Sequence, residues 1–362
     1  MEPDRDAILK ALEQVIDPEL QRPVTELDMV RDVEIDGGDV AVTIALTVAG
    51  CPLRNSFQEQ VATHVGAVPG VTSVGLSFDV MSPEEKAALS SKLRGGRPEK
   101  SISLEPGTRA IAVASGKGGV GKSSLSVNLA AALSGLGERV GILDADVYGH
   151  SIPHMLGISQ RPIVVDKMIV PPVRNGLKLM SIGFFLEDNS PVMWRGPMLH
   201  RALEQFLSDV HWGELDTLVV DMPPGTGDVS ISLGQLLPSA EALVVTTPQP
   251  AAQQVAVRAA QMAKHTGMRL LGAVENMSFL VGTGQEVFGS GGGQQLADEI
   301  GVPLLALIPL DPALREAADA GVPVVESDPE SEAARAIVAL AESVAALRQR
   351  PAGFVKALPL VS

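Results

Sequence analysis

The sequence predicts an α/β fold with a mostly parallel sheet covered by helices, preceded by a small α+β domain. Three observations predict it. From Arg109 onward, short apolar runs alternate with longer helical stretches. A glycine-rich string, Gly116 to Ser124, joins one such run to one such stretch. The first 80 residues have a different rhythm, with a hairpin signal between two β-branched segments. With about 150 residues per domain as a guide, 362 residues accommodate two or three domains. The boundaries fall at 1–81 for the small domain, 82–107 for a linker and 108–362 for the large domain.

In the small domain, Ile8, Leu9, Leu12 and Val15 have helical spacing over Asp6–Val15, and Asp17-Pro18-Glu19 ends that helix. Val30–Ile35 and Val40–Val48 read as strands, joined by a turn at Asp36-Gly37-Gly38-Asp39. Asn55–Val65 reads as a second helix and Val71–Val80 as a third strand. Ser82–Lys86 opens a short helical stretch, and the basic, Gly-rich Lys92–Lys100 reads as an exposed, mobile linker. In the large domain the apolar runs are Ala110–Ala114, Val140–Leu143, Leu218–Val220, Ala242–Thr246, Leu270–Val274 and Leu304–Ile308. Helical stretches such as Ser124–Leu136 and Ala251–Lys264 separate them, as parallel strands with helical crossovers require. Ser331–Leu347 reads as an amphipathic helix packed on this domain.

Composition excludes several classes of function. The net charge is −15 and aromatic residues are 3% of the chain, so a nucleic-acid partner is not expected. More than half of the negative excess lies in the first 80 residues. The single cysteine, Cys51, excludes an intrachain disulfide or a Cys-based zinc site. The acidic N-terminus has no apolar signal segment, and no run of about 18 apolar residues occurs. The expectation is a cytoplasmic protein with no membrane partner.

Gly116-Lys117-Gly118-Gly119-Val120-Gly121-Lys122-Ser123-Ser124 satisfies the pattern G-x-x-x-x-G-K-[ST] from Gly116 to Ser123. An apolar strand leads in and a helix leads out. Such a backbone can aim consecutive N–H groups at one anion, and the helix N-terminus adds partial positive charge. This makes the large domain a P-loop NTPase with ATP as its ligand. Gly116 to Ser124 form the cradle, Lys122 reaches the β- and γ-phosphates, and Ser123 ligates Mg²⁺. Asp144 and Asp146 follow the second strand, where carboxylates face the ligand crevice. Asp221 ends another apolar strand and is placed to hold Mg²⁺. Gly225 and Gly227 follow it in a loop suited to sensing the γ-phosphate. Asn276, at a strand end, can pair with adenine N6 and N7, or it is a turn residue.

The string GKGGVGKSS resembles the deviant Walker A class. That resemblance implies a homodimer that sandwiches ATP, with Lys117 acting on the partner subunit's nucleotide. It also implies that Asp144 and Asp146 orient the attacking water and assist Mg²⁺. Asp144 is the first choice for the water, with the order of the two left open. The segments around Asn276 and Pro309 line the adenine pocket in that class. Within it, Asp144–Gly149, Trp194–Met198, Asp221–Asp228, Val274–Ser278 and Phe288–Gly293 are similar to Mrp/ApbC-type iron–sulfur cluster carriers. The N-terminal domain, with Asp17-Pro18-Glu19 and Gly50-Cys51-Pro52, resembles iron–sulfur assembly domains. The resemblance implies an ATPase that assembles or transfers clusters, with iron–sulfur scaffolds or apoproteins as partners. One departure is large: the interval Phe279–Val287 has no cysteine where such carriers have C-x-x-C. A bridging iron–sulfur cluster is therefore not expected there. Cys51 is left as the one possible thiolate ligand, or as a small buried apolar residue. His150 and His154 lack a third ligand, and Pro153 breaks the helical geometry between them. The alternative function is a nucleotide-switched scaffold of the MinD or partitioning kind that binds no iron.

Overall fold

The structure is a computed structural model. It describes residues 3–48, 53–94, 102, 104–105, 107–147, 149, 151–185 and 196–348. Two compact units result. One comprises Met1–Ser103, Arg161–Val173 and Leu207–Gly213, and the other the rest of the chain.

The first unit begins with α1 (Arg5–Leu12), whose first turn is capped by the Asp4 carboxylate. Strands β1 (Val30–Asp36) and β2 (Asp39–Leu46) form the expected hairpin, with Gly37 at φ +61° in its turn. Helix α2 (Arg54–Gly66) carries the chain to β3 (Ser73–Val80), which pairs parallel to β2. Helix α3 (Pro83–Arg94) follows. The sequence reading puts these residues in an exposed linker, but Leu89 and Leu93, four apart on one face, are buried in the unit's core. A capping box starts the helix: the Glu85 N–H donates to Ser82 Oγ at 3.2 Å, and the Ser82 N–H donates to Glu85 Oε2 at 2.6 Å. The core also takes in Val165, Met168 and Val170 from a distant hairpin, β6 (Ile163–Val165) with β7 (Met168–Val170). Strand periodicity over so few residues is too weak to show this from sequence.

In the same unit Asp17 is buried, and its carboxylate accepts the N–H groups of Glu19 and Leu20, each at 2.9 Å. Burial, aided by the Asp17 charge, pushes the Glu19 carboxyl up to about 7. Between its ordinary value of 4.5 and about 7, the folded state holds this proton more tightly than the unfolded chain. The contribution to stability is therefore complete below pH 4.5 and lost as pH rises through 7. Glu19→Gln is expected to raise the melting temperature above pH 7 and flatten the profile below it. Parallel melting profiles for the two proteins would contradict this.

The second unit is built on a sheet whose described strands run, from one edge, β13-β12-β11-β4-β10-β5-β9-β8. In chain order these are β4 (Arg109–Ser115), β5 (Val140–Asp144), β8 (Val173–Arg174), β9 (Leu177–Ser181), β10 (Thr217–Asp221), β11 (Glu241–Thr246), β12 (Arg269–Leu280) and β13 (Leu304–Leu310). The strands from β13 to β9 pair in parallel. Every residue of β4, β5, β10 and β11 is buried, as a sheet covered on both faces demands. The covering helices are α4 (Lys122–Gly135), α5 (Ile152–Met155), α6 (Gly196–Ser208), α7 (Asp228–Leu236), α8 (Pro250–His265), α9 (Gly292–Ile300), α10 (Pro312–Asp319), α11 (Val324–Ser327) and α12 (Glu332–Ala346). Ile337, Leu340, Ala341 and Val344 of α12 join Leu125, Leu129 and Leu133 of α4 in the core, as the amphipathic pattern predicts. The register sets Asp221 beside Asp144, so both carboxylates leave the sheet at the same end.

Candidate functional site

Strand β4 ends at Ser115, and the chain turns through six residues into α4. Two glycines make that turn possible. A Cβ on Gly116 would overlap the backbone of Val255 and Ala256 in α8. Gly121 has φ +81°, a left-handed conformation that L side chains rarely adopt. The loop is tied from behind: Ser115 Oγ donates to the Lys117 carbonyl at 3.1 Å, and the Gly225 N–H donates to the Ser115 carbonyl at 2.8 Å. In front lies a cavity of about 400 Å³ lined by Lys117, Gly118, Gly119, Gly121, Lys122, Ser123, Ser124 and Asp146. Ser115, Gly149, Ser151, Met155 and Pro224 complete its wall. Gly116 and Val120 shape the loop from outside this lining.

Lys122, at the start of α4, is buried between carboxylates. Its Nζ lies 2.7 Å from Asp221 Oδ2 and 3.7 Å from Asp146 Oδ2. The Ser123 hydroxyl donates to the same Asp221 oxygen at 2.6 Å. Ser126 Oγ, also 2.6 Å away, holds the other. Sequence reasoning missed Ser126, although its place four residues after Lys122 on the same helix was a usable signal. It also missed Ser181, whose hydroxyl donates to Asp144 Oδ2 at 2.8 Å. Asp144 is fully buried and also accepts the Asp146 N–H at 3.2 Å. Burial and the Asp221 charge push the Asp144 carboxyl well above the ordinary carboxylate range. Asp146 faces the cavity, and Asp144 stands behind it. A hydroxyl and a carboxylate converging at 2.6 Å form a hard oxygen set that fits Mg²⁺. No helix among the described residues is long and apolar enough to cross a membrane.

The two residues expected at the base are both buried. Asn276 is buried and its Nδ2 donates to the Val120 carbonyl at 2.8 Å, so its amide grips the phosphate loop. Pro309 is buried on β13 and does not line the cavity. Cys51, His150, Trp194 and Arg195 lie outside the described residues, and His154 is exposed on α5.

Residues 107–345 match the family model of the NUBPL iron-transfer P-loop NTPase, and residues 5–76 match that of an iron–sulfur cluster assembly protein. An iron–sulfur cluster carrier protein of Mycobacterium leprae is 51% identical, over 96% of this chain and 94% of its own length. The chain belongs to the iron–sulfur cluster carrier family of P-loop NTPases. A Synechocystis carrier is 43% identical over 94% of this chain and 96% of its own. Among solved structures, an Archaeoglobus fulgidus nucleotide-binding protein in complex with ADP is 37% identical. It covers 61% of this chain and 89% of its own, with a TM-score of 0.52. The cell-division ATPase MinD of Pyrococcus furiosus is 27% identical over 66% of this chain and 99% of its own, with a TM-score of 0.53. The turn after β12 is the interval in which the sequence resemblance implies C-x-x-C. Leu280 bridges Gln285 across a tight turn with Gly282 and Gly284 at positive φ. Residues 281–287 hold no thiolate or imidazole.

Proposed function

We propose that this chain is a slow, Mg²⁺-dependent, cytoplasmic ATPase that works as a homodimer and gates the handing of iron–sulfur clusters to apoproteins. The observation that carries this reading is the convergence of Lys122, Ser123 and Asp146 on one cavity, with Asp221 buried behind Lys122 and Ser123, in a chain half identical to carrier proteins. The backbone N–H groups of the loop and the N-terminal end of α4 bind the phosphates. Lys122 neutralises the β- and γ-oxygens. Ser123 and Asp221 would hold Mg²⁺, which when bound offsets the charge that develops on the leaving phosphate. Asp146 orients the attacking water, because it faces the cavity. Asp144 holds the strand end behind it through the Asp146 N–H. Lys117 lines the cavity, and among the described residues no carboxylate pairs with it. That leaves its ammonium free to serve the nucleotide of a second copy.

With no thiolate in the turn after β12, the cluster is ligated by Cys51 or by the partner that receives it. The test is anaerobic reconstitution followed by activation of an apoprotein, with wild type, Lys117→Ala and Cys51→Ala. Lys117→Ala is expected to bind ATP normally but lose roughly tenfold or more in turnover and in transfer. Cys51→Ala is expected to lose bound iron. Equal turnover by Lys117→Ala and wild type would refute the role in trans. Iron on neither protein, with no effect on activation, would favour a second reading: a nucleotide-switched scaffold. The thiol-free turn and the likeness to MinD are what support that reading.

A further inference from the structure

Two consecutive side chains of β12 reach the same glycine of the phosphate loop. The Asn276 amide donates to the Val120 carbonyl at 2.8 Å, and a Cβ on Gly121 would overlap that amide. The same Cβ position lies 3.7 Å from Met277 Cε. Successive side chains of a regular strand point to opposite faces, so an undistorted strand cannot aim both 276 and 277 at Gly121. The backbone supplies the distortion. Met277 has φ +59°, an uncommon conformation for a long side chain. The pairing slips at the same place: Asn276 matches Ile308, and the next matched pair is Leu280 with Leu310. Four steps along β12 therefore correspond to two along β13. Bulges re-aim side chains in this way.

The bulge leads directly into the exposed turn after β12. The Leu280 N–H donates to the Gln285 carbonyl at 2.9 Å, and the Val281 N–H donates to the Leu310 carbonyl at 3.1 Å. Residues 277–279 lie between the Asn276 grip and this turn with no matched partner on β13. A movement of Val120 thus passes through the Asn276 amide into a segment that can shift without breaking the β12–β13 pairing.

We propose that Asn276 and Met277 form a latch that transmits the state of the phosphate loop to the turn at 281–287. Asn276 is a positioning residue in this role: it acts on nucleotide through the Val120 carbonyl. The latch rests on the reading of Gly116–Ser124 as a nucleotide site. It does not depend on iron or on the identity of the client.

Hydrogen exchange of the full chain with and without Mg·ADP tests it, alongside hydrolysis of ATP and GTP. In wild type, Mg·ADP is expected to slow exchange at 116–124 and also at 281–287. In Asn276→Ala, protection at 116–124 persists and the response at 281–287 disappears. Kd rises by less than about tenfold, the worth of one hydrogen bond. Met277→Gly, which suits a positive φ and keeps the amide in place, is expected to halve the response at 281–287 or more. It serves as the second variant if Asn276→Ala fails to fold. An equal response at 281–287 in wild type and both variants overturns the latch. So does loss of ATP-over-GTP preference in Asn276→Ala with the turn still responding, which makes Asn276 a reader of the base. No protection at 116–124 in wild type would overturn the nucleotide reading itself, and the latch with it.

Discussion

Lys122→Ala is expected to bind ATP on the order of 10²–10³-fold more weakly than wild type and to show no measurable turnover. The ammonium is buried and sits 2.7 Å from Asp221 and 3.7 Å from Asp146. Removing it deletes the side-chain cation that the fold fixes between carboxylates at the phosphate cavity. A triphosphate would then approach Asp146 and Asp221 with no fixed positive charge between them. The fold is expected to survive, because Ser123 and Ser126 each still donate to Asp221 at 2.6 Å. A fluorescent-nucleotide titration, with circular dichroism as the check on folding, measures this. Affinity within a few-fold of wild type would show that the backbone cradle alone carries binding.

Gly116→Ala is expected to have the largest effect on stability of any single methyl added to the loop. The new Cβ would fall on the carbonyl carbon of Val255 and the nitrogen of Ala256. These are backbone atoms of α8, and no rotamer change removes them. Either the loop or the helix must move, at a cost of about 1–3 kcal/mol or more. For a unit of this size that lowers the melting temperature by about 2–4 °C per kcal/mol. Nucleotide affinity falls with it, because the loop's N–H groups lose their common aim. Gly118→Ala is the internal control, since a Cβ there meets nothing within 4 Å. Equal melting temperatures for the two variants would show that the close approach of α8 is not what confines residue 116 to glycine.

What could be read in advance was what is local in the chain. The phosphate loop is nine consecutive residues, and each one's role follows from its neighbours, so its composition carries its geometry. Asp221 was legible for the same reason, as the last residue of an apolar run. Asn276 was found, but its grip on the phosphate loop was not. Its partner, Val120, is 156 residues away, and nothing at either position encodes that contact. Met277 carries no mark of its left-handed backbone, which the slip between β12 and β13 imposes from outside. The start of α3 was legible at Ser82–Lys86, but its length and its place in the core were hidden by the basic, Gly-rich residues that follow it, which dominate the composition of the window. The contribution of Val165, Met168 and Val170 to the first unit depends on a tertiary contact between α3 and β6, elements about 70 residues apart in the chain.

That last contribution bears on the order of synthesis. The first unit draws core side chains from as far along the chain as Val170, and its span extends to Gly213. On the ribosome, at about 5–20 residues per second, the N-terminal segment therefore waits several seconds for the pieces that complete it. Its apolar faces are finished only after the phosphate loop and β5 have emerged. The portion made first thus cannot close until more than a hundred further residues have been made, and a gene cut after codon 103 would yield an N-terminal fragment lacking part of its own interior.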